Sequence, residues 1–319
     1  MATGPALPST PEPLPLGALS DPILVDPGPR LLRAVLEAYR EAAPALVAPS
    51  VADLASEADE GDETDEARGD DDLAPSELPS LRVFAGEAAV DAATAGFRPA
   101  SRLAALLDAD AVDLRVLDAP QPNPVLAGAE TGFALIGTER DGAGGETSGE
   151  TSRETIGEVE WHPIGDDASL RGRYASRFAD AEPYGLRTPS RRRVYEGFAA
   201  RCDESVAAAV LRTLDAEVDS ETSKSIGPDS EETRLRAYAV GAREGVLDRT
   251  LRRACEDAGL GSPSTFTRIK RLLREADLIE TVSESQPVGR PRERLAAHTE
   301  LAAAEAPEAV VTAVRNVTE

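Results

Sequence analysis

Between Pro263 and Arg274 the chain places four cations, Arg268, Lys270, Arg271 and Arg274, with no acid among them, although its formal charge is −24. Three small hydroxyls, Ser262, Ser264 and Thr265, stand just ahead of them. Short hydroxyls at the start of a helix suit phosphate contact and close approach, and arginines one turn on can reach guanine edges or phosphates. Further along, Arg290, Arg292 and Arg294 lie in and just after a turn at Gln286–Pro291, where guanidinium groups would lie along a minor groove or its flanking phosphates. The chemistry implied is recognition of double-stranded DNA. Its expected contact residues are Ser262, Ser264, Thr265, Arg268, Lys270, Arg271, Arg274, Arg290 and Arg292. The competing reading is a charged helical unit that contacts another protein and never touches DNA.

The surrounding residues describe the scaffold such a surface needs. Leu235, Tyr238, Ala239 and Ala242 give the buried face of a first helix. Val246-Leu247 reads as a short extended piece, and Asp248 as the cap of a second helix that buries Leu251, Ala254, Cys255 and Ala258. Gly259 suits the left-handed residue that ends a helix. After a tight turn, Ser262 is a good N-cap and Pro263 fits the first helical position. The third helix should run from Pro263 to about Ala276 and bury Phe266, Ile269, Leu272 and Leu273. A strand over Leu278–Val282, a turn over Gln286–Pro291 and a strand over Arg292–Ala297 complete a winged helix-turn-helix spanning residues 234–299.

Other chemistries find little support. The two histidines, His162 and His298, have no cysteine or second histidine at metal-ligand spacing, and Cys202 and Cys255 read as reduced, apolar side chains. The glycines between Gly142 and Gly149 lack the lysine of a phosphate-cradling loop, and no Gly-x-Ser-x-Gly turn frames Ser101 or Ser190. An enzyme and a bound cofactor are therefore not expected. Arg187, Arg191, Arg192 and Arg193 could form an anion pocket, but pairing with local carboxylates is the favoured expectation.

Upstream, strand and helix signals alternate: Ile23–Val25, a helix with Leu31, Leu32, Val35, Leu36 and Tyr39 inward, Leu81–Phe84, a helix over Ser101–Ala109, and Leu114–Leu117. Phe133–Ile136 and Val159–Trp161 read as an antiparallel pair around a loop at 141–154, and helices follow over Ser169–Ala181, Ser190–Arg201 and from Asp203 to Val218. This order makes an α/β N-terminal domain, residues 21–218, followed by the winged helix. Residues 1–20 are expected to form a disordered arm because of their prolines. Residues 52–79 read as a disordered acidic insertion, 219–233 as a linker and 300–319 as a tail in which Val310, Val311 and Val314 could form a dimer helix.

Acids number 58 against 34 bases, and only two of the bases, Lys224 and Lys270, are lysines. Carboxylate-rich, lysine-poor surfaces are what a high-salt cytoplasm favours. With no signal peptide pattern and no apolar run of membrane-spanning length, a cytoplasmic protein without membrane contact is expected.

At SPSTFTRIKRLL and VGRPR the chain resembles haloarchaeal TbsP-type transcriptional regulators, and FRPASRLAALLDADAVDLRVL and RYASRFADAEPYGLRTPSRRRV are similar to the N-terminal, sensor-like half of that family. The likeness covers most of Ile23–Ala297. It implies a regulator of transcription, with metabolic genes as candidate targets, and places DNA contact at Ser262, Ser264, Thr265, Arg268, Arg271, Arg290 and Arg292. The acidic N-domain would then mediate homodimerisation and is a candidate binder of a small-metabolite effector.

Overall fold

The computed structural model describes residues 4–9, 12–59, 77–137, 159–165, 168–216, 227–285, 291–315 and 317. Its N-terminal stretch corrects the expectation of a free arm. Ala6–Leu7 (β1) pairs antiparallel with Leu14–Pro15 (β2), and Leu7 and Leu16 are fully buried. The prolines do not prevent this, because a carbonyl is all they need to supply: Pro5 accepts the Leu16 N–H at 2.9 Å.

Ile23–Val25 (β3) is buried at every residue. An apolar run without alternation is what a strand covered on both faces requires. It feeds helix α1, Pro29–Ala42, whose predicted inward residues are all buried. Tyr39 is among them, its hydroxyl donating to the Pro79 carbonyl at 2.6 Å. Pro44–Val47 (α2) and Val51–Asp59 (α3) come next in sequence but belong to the second of two compact units. The first unit resumes with Leu81–Ala85 (β4) and Glu87–Ala93 (α4). Phe97–Asp108 (α5) again belongs to the second. Val112–Val116 (β5), Val125–Ala127 (β6), Gly132–Gly137 (β7), Val159–Gly165 (β8) and Ala168–Asp180 (α6) complete the first unit.

Among the described residues these strands form one six-stranded sheet in the order β5-β4-β3-β6-β7-β8. β3, β4 and β5 run parallel, and the β6–β8 half is antiparallel, with Leu135 opposite Trp161 as in the expected hairpin. Ile23, Val25, Phe84, Val125 and Ala127 pack against Tyr174 and Phe178 of α6. Phe84 and Phe178 meet edge to face at 5.8 Å. The loop expected at 141–154 lies outside the described residues.

The second unit comprises residues 44–69, 94–108 and 185–319. The chain therefore divides after Tyr184, not in the segment 219–233. Arg191–Arg201 (α7) and Glu204–Asp215 (α8) are capped by Ser190 and Asp203, and they share one core with the helices that follow. Ser230–Arg243 (α9) starts inside the expected linker, because Asp229 caps it by accepting from the N–H groups of Glu231 and Glu232, both at 2.8 Å. Residues 217–226 lie outside the described set. Asp248–Asp257 (α10) crosses α7 so closely that a Cβ on Gly197 would sit 2.5 Å from the Ala258 nitrogen. Only glycine permits that approach.

The acidic insertion is likewise part helix. Ser50 and Asp53 cap α3 reciprocally, at 2.7 and 3.1 Å, and Leu54 joins the second unit's core. Its residues 60–76 lie outside the described set. In the tail, Thr299–Ala303 (α12) leads to Pro307–Arg315 (α13). Val310, Val311 and Val314 are fully buried within their own chain, so that face is not available as a dimer helix.

Candidate nucleic-acid interface

Helix α11, Pro263–Glu275, is built as its sequence dictates. Gly259, at φ +74°, ends α10 in the left-handed conformation, and the Leu260 N–H reaches back to the Cys255 carbonyl at 2.9 Å. The Ser262 side chain then accepts from the Thr265 N–H, and Pro263 occupies the first turn. Phe266, Ile269 and Leu273 are fully buried, and Phe266 stacks on Tyr238 at 5.8 Å. Leu272, expected inward, is only half-buried.

Ile279–Glu284 (β9) and Arg292–Ala297 (β10) pair antiparallel with Ile279 opposite Ala297 and Glu284 opposite Arg292. Leu247 bridges Arg294, so the short extended piece before α10 docks on the wing through a single β-bridge. Leu295 closes the core beneath it.

This frame sets out the predicted contact residues unevenly. Ser262, Ser264, Arg268, Arg271 and Arg274 are exposed along α11, and Thr265 is half-exposed. The hydroxyls of Ser262 and Ser264 lie 2.8 Å apart, and those of Ser262 and Thr265 lie 3.1 Å apart, a cluster at the helix start. Thr267, Lys270, Arg271, Arg274 and Glu275 line an open cleft of about 470 Å³. Arg268 pairs with Glu231 at 2.9 Å, and Arg271 lies 3.7 Å from Glu275. Lys270 departs from the outward face expected of it. Its side chain is only 15% exposed, and it bends to Glu293 at 2.6 Å and Asp248 at 3.5 Å. Arg292 is exposed on β10, while Arg290 lies outside the described residues. Arg294 is held by Glu284 and the Gly245 carbonyl, which makes it a brace of the wing. The Glu284 carboxylate beside it raises its pKa, and Arg294 in turn lowers that of Glu284.

Asp248 was expected to cap α10. Leu247 holds that position, and Asp248 is instead the first helical residue and buried. Its carboxylate accepts from the Tyr238 hydroxyl at 2.5 Å and pairs with Arg252 and Lys270. Burial first, then the neighbouring Asp248 carboxylate, pushes the Tyr238 hydroxyl far above the usual phenol range. The proton stays on tyrosine, and three donors satisfy one buried acid.

Sequence reading missed a second row of cations. Arg249 and Arg253 are exposed on α10, opposite the buried Leu251 and Ala254, and with Arg201, Arg252 and Arg292 they line an open groove of about 1020 Å³. The signal lies in the three arginines on the polar face of DRTLRRACED, Arg249, Arg252 and Arg253, which the apolar spacing of the helix does not register. Of the four arginines expected to pair with carboxylates, two at the start of α7 do so. Arg191 grips Asp215 with both nitrogens, at 2.5 and 2.9 Å, and Arg192 pairs with Glu57.

Comparison with known families follows this division. Residues 190–315 match the C-terminal HTH domain of TbsP-like transcriptional regulators, and residues 70–189 match the N-terminal domain of the same regulators. By both of its domains the chain belongs to the TbsP-like transcriptional regulators. The boundary between the matched domains falls at 189/190, so α7 and α8 go with the HTH side of this TbsP-like chain, as its packing requires. No curated protein and no solved structure matches it significantly. Among its described residues no group of three His, Cys, Asp or Glu is placed to hold a metal ion, and no helix is long and apolar enough to cross a membrane.

Proposed function

We propose that the TbsP-like chain binds double-stranded promoter DNA in a sequence-specific manner, with α11 in the major groove and the wing beside it. The observation that carries this reading is the row of exposed cations Arg268, Arg271 and Arg274 behind a cluster of hydroxyls, on a helix whose other face is fixed in the core. In a chain at −24 a surface of that sign favours a polyanion. Ser262, Ser264 and Thr265 contact phosphates and Arg268, Arg271 and Arg274 read or flank bases. Arg292, and Arg290 with it, hold the backbone at the wing. Lys270 contributes field and not a direct contact.

In this reading the protein works as a homodimer on a palindromic site in a salt-rich haloarchaeal cytoplasm. It controls metabolic genes, with its N-terminal domain joining the subunits and answering a small metabolite. High ambient salt weakens nonspecific phosphate attraction, which throws more of the affinity onto base contacts.

The test is the double reversal Arg268→Glu with Arg271→Glu, after occupancy mapping has supplied a bound fragment. Promoter binding should vanish, each lost base contact costing about 1–3 kcal/mol. Unchanged occupancy would instead assign the surface to a protein partner.

A further inference from the structure

A cavity of about 60 Å³ in the second unit is bounded by the Thr94–Phe97 segment, Arg187, Thr188, Ser230, Arg234 and Leu260. That is space enough for one tetrahedral oxyanion. No carboxylate lines it, in a chain with 58 acids and 34 bases. Arg191, Arg192 and Arg236 nearby are each paired with an acid. Arg187 and Arg234 make no ion pair among the described residues. Arg234 spends its Nε on the Leu260 carbonyl at 2.6 Å, which leaves its terminal nitrogens for the cavity. Two guanidinium groups, with the hydroxyl residues Thr188 and Ser230 among the others that line the same small space, match the several acceptor oxygens of a phosphoryl group.

We propose that this cavity binds a phosphoryl oxyanion and that its occupancy is felt by the recognition helix. The wall is the helix-turn-helix turn itself. Leu260 stands two residues before the N-cap Ser262, and Gly259 lies against Pro189 and Arg193, so an anion that draws Arg234 inward changes the hold on the start of α11. This coupling rests on the DNA-binding reading; the anion site does not.

The phosphoryl group comes either from free phosphate or from the DNA backbone, and one set of measurements separates them. Inorganic phosphate is titrated calorimetrically into the intact chain at ionic strength fixed with chloride, alongside Arg187→Gln and Arg234→Lys. DNA affinity is then measured across a salt series. Arg187 is exposed and outside any helix or strand, so its variant should fold even if Arg234→Lys does not. One saturable phosphate per chain, weakened at least tenfold in Arg187→Gln, identifies free phosphate as the ligand. No phosphate uptake, but a salt dependence of DNA binding shallower by about one in Arg187→Gln, assigns the group to the DNA backbone. Phosphate binding that Arg187→Gln leaves unaltered, or no effect of Arg187→Gln on either ligand, overturns the proposal. An intact chain that takes up phosphate yet binds no DNA would sink the gene-control reading and leave this site standing.

Discussion

On the proposed reading face two exposed cations have a carboxylate within reach, Arg268 with Glu231 and Arg271 with Glu275, and the mostly buried Lys270 beside them is paired with Glu293. Exposed pairs of this kind are worth only about 0.2–1 kcal/mol each, so DNA displaces them at small cost while weaker polyanions gain less. Removing one should therefore tighten binding. Glu293→Gln is expected to lower the Kd for a bound promoter fragment by up to about fivefold, since 1 kcal/mol is close to that factor, with the gain largest at low salt in an anisotropy titration. An unaltered Kd would show that Lys270 stays with Asp248 in the complex. Lys270 also marks how far residues were legible. Its place on α11, one position after the buried Ile269, followed from spacing, but the direction of its long stem depends on Asp248, Glu293 and a wing strand that meet it only in the fold.

Among the elements, α11 depends on its cap. Ser262→Ala removes the acceptor for the Thr265 N–H and should cost about 1 kcal/mol in urea denaturation, with a loss of promoter affinity because the hydroxyl cluster goes with it. Helix α8 carries a pH signature. The Ser205 hydroxyl first, then the Val206 N–H, hold the Asp203 carboxyl below the ordinary carboxylate range, against a smaller upward push from burial. A lowered folded pKa means the stabilisation is present above the unfolded value of about 3.9 and is lost as pH falls through the folded one. Asp203→Asn should accordingly melt below the parent at neutral pH and converge with it under acid conditions, followed by thermal denaturation at a series of pH values. Elements that announce their own ends were legible: Ser262-Pro263, Gly259 and the strands either side of the wing turn. Those missed lacked such signals. α4 is an alanine-rich helix that buries only Val90 and Ala93, β6 spans only three residues, and α3 was hidden because its acids obscured Leu54 and the Ser50–Asp53 cap.

For the molecule as a whole, the tail is a structural member. Deleting residues 307–319 removes the fully buried Val310 and Val314, each worth about 1.5–3 kcal/mol, from a core shared with α8 and α9, together with the buried Val311. The expected result is a marked fall in melting temperature of the HTH domain with no change in the proposed dimer by sedimentation; conversion of a dimer to monomers would restore the dimer-helix reading. Sequence composition gave no warning of the division after Tyr184, because Gly-Pro and serine advertise a joint near 227 while the contacts that overrule it, Gly197 on Ala258 and Arg236 on the Thr213 carbonyl, are distant in the chain. That close crossing has a practical corollary for anyone building chimaeras. A transplanted reading head cut at residue 234 would arrive without α7 and α8, the helices that pack on α10 and α9 and share one core with them. The portable piece starts upstream of Ser190, and the short helices at 44–59 and 97–108 have to travel with it.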